Sequence, residues 1–310
     1  MIYCLILIKI YWISAFFVYS LKFLFKKFDE FSDYGKLVKM KQKYSIPNKI
    51  GWRSFYFFGF SWNLILLFMI ITNKSIFSKI GNVIKIEDDI EYLKKIRVLF
   101  LNTKDFYSSL QIWILWIFLQ IQFIRRFLEC LFVHKFRPEQ MNFFNFLSGI
   151  SFYFFVPMTF LLFFSGNNYQ NEKNLFNVFF KNNFLNHFFN INFFTFFGSV
   201  FLFIFGSISQ NRSHRILRDV RDKKEKKGDI GYYVIYEGYF QYVSSPHYFF
   251  EIIIYFSFLL LNNFKNLWSF VCFLFVCMNL VHNSIKTDEW YRKKFRDYPE
   301  ERKKLIPFIF

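Results

Sequence analysis

The chain has 310 residues, 54% of them hydrophobic and 25% aromatic, with 40 Lys and Arg against 22 Asp and Glu for a formal net charge of +18. Its four cysteines, Cys4, Cys130, Cys272 and Cys277, form no CxxC pair, so neither a disulfide framework nor a thiolate zinc site is supported. The apolar residues gather into runs of about 17–22 positions, long enough to cross a hydrocarbon core of roughly 30 Å as helix. The basic residues fall between these runs rather than on one folded surface, which argues against nucleic acid as the partner.

Taken in chain order, seven spans are expected: 2–21, 53–72, 110–132, 143–165, 184–208, 247–262 and 267–285. The first carries one interior charge, Lys9, and lacks a small-residue cleavage site, so it reads as a membrane helix rather than a signal peptide. The fifth starts among polar residues, Asn186, His187, Asn190 and Asn192. The sixth is short enough to be re-entrant or strongly tilted. The expected class is therefore an all-α, polytopic membrane protein of about seven transmembrane helices, forming a single membrane domain over 1–310.

Lys and Arg cluster at 22–53, 133–142, 212–227 and 286–304. With seven spans all four regions fall on one side, which the charge bias makes cytosolic, leaving the N-terminus in the lumen. The loops at 73–109 and 166–183 are mixed in charge or Asn-rich. No internal repeat is visible, which weakens a transporter of inverted-repeat type.

Polar side chains inside spans are costly and point to function. The third span carries Gln120, Gln122, Arg125, Arg126 and Glu129. Gln122, Arg126 and Glu129, spaced four and three apart, share a helix face. That face either lines a polar cavity or holds an Arg126–Glu129 ion pair at the membrane surface, and spacing alone leaves both open. Trp52, Arg53 and Tyr56 open the second span and read first as interfacial anchors. The sixth span opens with Ser244-Ser245-Pro246-His247-Tyr248, with Glu251 one turn after His247. Pro246 suits a first helical turn, whose free N–H groups suit a phosphate or amide ligand. The plain alternative is a helix cap with an ion-paired Glu.

These residues carry a resemblance. Gly238-Tyr239-Phe240-Gln241-Tyr242-Val243-Ser244-Ser245-Pro246-His247-Tyr248 with Glu251 is similar to the G-x-F-E-Y-V-S-S-P-[NH]-Y-x-x-E box of the steroid 5α-reductase family. The tail from Trp290-Tyr291 through Tyr298-Pro299 and Arg302-Lys303-Lys304 to Phe308-Ile309-Phe310 resembles that family's ending. Gln210, His214, Ile216-Leu217 and Arg221 match an upstream stretch, and the likeness thins to Tyr34-Gly35-Lys36, Ile46-Pro47, and Leu119-Gln120 to Cys130. The Ser-Ser-Pro of the box favours the polyprenol (polyprenal) reductase branch. Gln241 replaces the usual Glu, Ile235 a common Pro, and Asp288 a usual His, the last placing an anion where a cation near cofactor phosphate would be expected.

The resemblance implies an oxidoreductase of the endoplasmic reticulum membrane that uses NADPH to reduce a carbon–carbon double bond of a polyisoprenoid on the route to dolichol and protein glycosylation. It implies a cofactor-binding part over 210–310. Tyr56, Gln122, Arg126 and Glu129 would hold the substrate oxygen, and Gln210, His214, Arg221, His247, Tyr248, Glu251, Asn283 and Tyr291 would line the NADPH pocket. No metal and no GxGxxG after a strand is expected. Rival readings are a 3-oxo-steroid 5α-reductase, a long-chain enoyl reductase, a membrane methyltransferase for isoprenylated cysteine, and a small non-enzymatic transporter.

Overall fold

The computed structural model describes residues 2–31, 33, 37, 44–72, 109–161, 193–226, 228, 231–264 and 266–310. Among them the chain forms α1 (Ile2–Leu24), α2 (Lys26–Phe31), α3 (Asn48–Thr72), α4 (Ser109–Phe132), α5 (Phe143–Leu161), α6 (Phe193–Glu225), α7 (Pro246–Leu261) and α8 (Leu267–Lys294). Every expected span meets one of these helices. Four of them, within α1, α5, α6 and α8, are long and apolar enough to cross a membrane by themselves. In α4 the polar residues Gln120, Gln122, Arg125, Arg126 and Glu129 dilute the apolar run. Helix α7 has 16 residues, about 24 Å of helix, which is short of a full hydrocarbon core, as its sequence suggests.

The boundaries correct the fifth span. Helix α6 does not stop near 208 but continues to Glu225, so Gln210, His214 and Arg221 stand on a helix rather than in a basic loop. Backbone pairing explains this: nothing between 209 and 225 is Gly or Pro to end the ladder. The expected polar start at 184–192, the loops at 73–108 and 166–183, and Tyr34-Gly35-Lys36 lie outside the described residues.

Aromatic packing holds the bundle. Phe118 and Phe203 stack at 4.2 Å between α4 and α6, and fully buried Trp12 donates from Nε1 to Thr159 Oγ1 at 2.8 Å. Some polar groups inside the bundle pair with one another, as a hydrocarbon solvent favours: Asn63 Nδ2 donates to Gln120 Oε1 at 2.8 Å and Trp116 Nε1 to the Asn63 carbonyl at 2.9 Å. Gly206 lets α6 approach α7 closely, since a Cβ there would sit 2.9 Å from Ile254 Cγ1. The outward side of α1 shows Ile6, Leu7, Ile10, Ile13 and Phe17, a surface suited to lipid.

The four basic regions are in contact with one another. Ser45–Pro47 pairs antiparallel with Gln140–Asn142, Lys135 pairs with Asp222 and Glu225 on α6, and Val243 bridges Lys303 of the tail. Helix α2 is tied to α8 by His282 Nε2 on Asp29 Oδ1 at 2.7 Å and by Lys286 on Asp29 and Asp33. Among the described residues, one end of the bundle therefore gathers the clustered cations, in keeping with the charge pattern.

Candidate active site

A cavity of about 740 Å³ opens inside this bundle. Its polar wall comes from α3 (Trp52, Tyr56), α4 (Arg126), α6 (Gln210, His214) and α7 (His247, Tyr248, Glu251). The rest of its lining is mostly aromatic or aliphatic, with Tyr11, Ala15 and Val18 of α1, Phe144 and Phe152 of α5, and Phe275, Val276 and Leu280 of α8, joined by polar Ser148, Ser151 and Asn279. Lys22 and Phe28 lie at the end where α1 passes into α2.

Glu129 organises the polar wall from behind it. Only 2% exposed, its carboxylate takes hydrogen bonds from Arg125 and Arg126, from Asn211 Nδ2 at 2.8 Å, and pairs with His214 Nδ1 at 2.7 Å. A buried charge is tolerable only when its lone pairs are met in this way. Two arms leave this hub. Along the first, Arg126 donates from Nη2 at 3.0 Å and from Nε at 3.2 Å to Tyr56 Oη. Along the second, Arg125 donates to Gln122 Oε1 at 2.7 Å and to Gln210 Oε1. The two carboxamides then donate to Glu251, Gln122 Nε2 at 3.2 Å to Oε1, and Gln210 Nε2 to Oε2. Gln210 Nε2 also reaches the His247 carbonyl at 3.2 Å. Both readings of the α4 face are thus present together: the ion pair exists, and Arg126 lines the cavity.

The i, i+4 spacing puts His247 and Glu251 on one face of α7, and that face looks into the cavity. Pro246 occupies the first turn, and the Ser245 hydroxyl makes no capping bond to it. Tyr56 and Trp52, read first as interfacial anchors, are cavity walls instead, with Tyr56 buried. Four residues apart, they share one face of α3, and that face lines the cavity.

Of the twelve residues expected at the site, Tyr56, Arg126, Gln210, His214, His247, Tyr248 and Glu251 line the cavity, while Gln122 and Glu129 support them from behind. Three stand apart. Asn283 bonds Asn279 Oδ1, one turn along α8, at 3.2 Å. Arg221 donates to the Lys135 carbonyl and lies beside Tyr291. Tyr291 in turn stacks on Tyr298 at 5.5 Å. Arg221 and Tyr291 belong to a second group at the basic end, where Arg137 lies 3.9 Å over the Tyr232 ring.

Sequence reasoning passed over Tyr153 and His134. Tyr153 is a cavity residue and a hydrogen-bond neighbour of the Tyr56 hydroxyl; inside an apolar run rich in Phe it carried no signal. His134 follows the end of α4, with its Nε2 3.3 Å from Arg126 Nη1 and its ring 4.4 Å from that of His214. Burial, with His214 and Arg126 alongside, holds its pKa well below the ordinary histidine range. Ligand atoms of Glu129, His134 and His214 lie within 4.8 Å of one another. Arg126 Nη1, however, sits 2.8 Å from His214 Nδ1, so a guanidinium already supplies the positive charge there.

The fit to a nicotinamide cofactor can be judged from the donors present. Glu251 offers carboxylate acceptors, Gln210 a carboxamide and His247 an imidazole, a set suited to a nicotinamide amide and ribose hydroxyls.

Comparisons with known proteins agree with this architecture. Residues 158–310 match the family described as 3-oxo-5-alpha-steroid 4-dehydrogenase. A polyprenal reductase 2 of Oryza sativa subsp. japonica is 28% identical over 204 residues, 62% of this chain and 57% of that protein. The polyprenal reductase of Homo sapiens is 29% identical over 214 residues, 65% of this chain and 61% of that protein. A polyprenal reductase 1 of Oryza sativa subsp. indica reaches 40% identity over 109 residues, 35% of this chain and 30% of that protein. The chain thus spans at most about three-fifths of the length of these relatives. Over residues 158–310 the chain is therefore similar to the steroid 5α-reductase family.

Proposed function

We propose that the protein reduces the α,β double bond of polyprenal with NADPH, yielding the saturated aldehyde on the route to dolichol. The observation that carries this reading is the Arg126–Tyr56 couple, which faces the same cavity as His247, Tyr248 and Glu251. Gln210, His247, Tyr248 and Glu251 would hold the nicotinamide end, with Arg221 and Tyr291 serving the phosphate-bearing part at the basic end. NADPH, when bound, supplies a hydride for the β-carbon.

The chain's own residues do the rest. Tyr56 Oη accepts both Arg126 bonds, so the proton it has left to donate is shared with its neighbour Tyr153 and would pass to a carbonyl oxygen of substrate in the cavity. Negative charge grows on that oxygen as the double bond is reduced, and a preoriented donor backed by a guanidinium stabilises it. Glu129 holds Arg126 so that no reorganisation is needed at the moment of reaction. The aromatic wall excludes water from the reacting carbons and suits an isoprenoid chain.

An allylic alcohol has no carbonyl to take up this charge, so polyprenal rather than polyprenol is the direct substrate. The family description favours a second reading, a 3-oxo-Δ4-steroid, whose conjugated carbonyl poses the same chemical problem. We place the protein in the endoplasmic reticulum membrane with the basic end cytosolic, where NADPH is available.

The test uses microsomes lacking their own polyprenol-pathway reductase, supplied with NADPH and followed by mass spectrometry. Saturation of polyprenal with polyprenol and steroid untouched is the expected result. Saturation of polyprenol instead removes the enal mechanism, and saturation of the steroid alone moves the protein to the sister activity.

A further inference from the structure

Asp288 departs from the family's ending, and its surroundings give it a use of its own. It is 1% exposed and is not a cavity residue. Its Oδ1 accepts from Ser244 Oγ and its Oδ2 from Arg292 Nε at 2.7 Å. Ser244 gives its single proton to this carboxylate, so its oxygen accepts from Tyr298 Oη at 2.6 Å. The backbone closes the same joint twice: Ser244 N donates to the Lys303 carbonyl at 2.9 Å and Lys303 N to the Tyr242 carbonyl at 3.0 Å. Arg292 returns to the tail through Nη2 on the Arg302 carbonyl at 2.8 Å. α8, the tail and the turn before α7 are therefore pinned at one hydroxyl. Three residues later that turn presents His247, then Tyr248, and one helical turn on, Glu251, to the cavity.

We propose that Asp288 is a positioning residue which, by holding Ser244 against Tyr298, fixes the 244–248 turn and so sets affinity for the nicotinamide cofactor. An anion at this position is matched by Arg292 and by the Ser244 hydroxyl rather than opposed to a phosphate. A neutral imidazole could not accept from both Ser244 and Arg292 at once, because it offers one acceptor nitrogen. The inference rests on the NADPH reading above, and the experiment separates the two.

Full-length protein in lipid nanodiscs is titrated with NADPH, with energy transfer from tryptophan to the bound nicotinamide as the readout, and turnover of polyprenal is measured alongside. Ser244→Val and Asp288→Ala should each weaken NADPH binding by roughly tenfold or more, the scale of one lost hydrogen bond to a charged group. At saturating NADPH, kcat should stay within about threefold, and Ser244→Thr, which keeps the hydroxyl, should retain wild-type affinity. The double variant should be no weaker than either single one, since both remove the same bond. Where Asp288→Ala lowers the yield of folded protein, the Ser244→Val and Ser244→Thr pair carries the comparison. NADPH affinity within twofold of wild type in both Ser244→Val and Asp288→Ala overturns the proposal, as do additive losses. Wild-type protein that binds NADPH but leaves polyprenal unreduced defeats the substrate reading alone, and the latch is then judged on affinity. Wild-type protein that does not bind NADPH defeats both.

Discussion

Replacing Tyr56 by Phe isolates one oxygen atom. The ring keeps its packing against Tyr153, at 5.2 Å between centroids, and its place beneath Arg126. What disappears is the acceptor of two Arg126 hydrogen bonds and the donor aimed at the substrate oxygen. Losing a single preoriented donor to a developing oxyanion costs about 3–4 kcal/mol in the transition state, a fall of roughly 10²–10³ in kcat. Leaving two guanidinium N–H groups without that partner costs a further 1–3 kcal/mol, about, in stability. NADPH affinity should hold, because the second arm through Arg125, Gln210 and Glu251 is untouched. The assay is loss of absorbance at 340 nm on adding polyprenal to protein in nanodiscs, with NADPH binding measured separately. A Tyr56→Phe enzyme within threefold of the wild-type kcat would refute the reasoning and move the oxygen-holding role to Tyr153.

Other consequences follow from the same geometry. Glu129→Ala strands Arg125 and Arg126 in a site where Glu129 is 2% exposed, and the cost should be about 3–5 kcal/mol; thermal unfolding in detergent should show it, and Glu129→Gln should recover part of the loss. Gly149→Ala puts a methyl group within 2.3 Å of Phe55 Cζ. The displaced ring narrows the cavity, with a loss of about 1–3 kcal/mol in stability and a larger KM for polyprenal than for NADPH. His134 is held neutral in the fold by burial and by His214 and Arg126 alongside, with Glu129 pulling the other way. The unfolded chain binds this proton below about pH 6.5, so stability should fall as pH drops from 7 to 5 and be fully present above that range. The difference between wild type and His134→Gln in unfolding midpoint should narrow over that interval, and a parallel pair of pH profiles would count against it.

The all-α membrane class and the positions of the long apolar helices were legible in the sequence because a bilayer imposes a one-dimensional rule, about twenty apolar residues for each crossing. The same logic made the α7 face legible, since an i, i+4 pair must share a side of a helix whatever packs against it. It failed at 209–225, where a polar stretch of helix looks like a charged loop. The resemblance supplied roles for Tyr56 and Arg126 that spacing alone left open.

Depth behind the wall was decided only by the tertiary structure. Residues 70 to 129 positions apart in sequence, Arg126 with Tyr56 and Gln122 with Glu251, are bonded across helices. No local pattern records which side of a face meets a neighbour. That is why Glu129 emerges as a support rather than a cavity residue, and why Tyr153 joins the site from a run of phenylalanines. It is also why Asp288, a lone departure when read along the chain, becomes the partner of Ser244, 44 residues away: hydrogen bonds of a buried carboxylate are set by what the fold brings to it, not by what stands beside it in sequence.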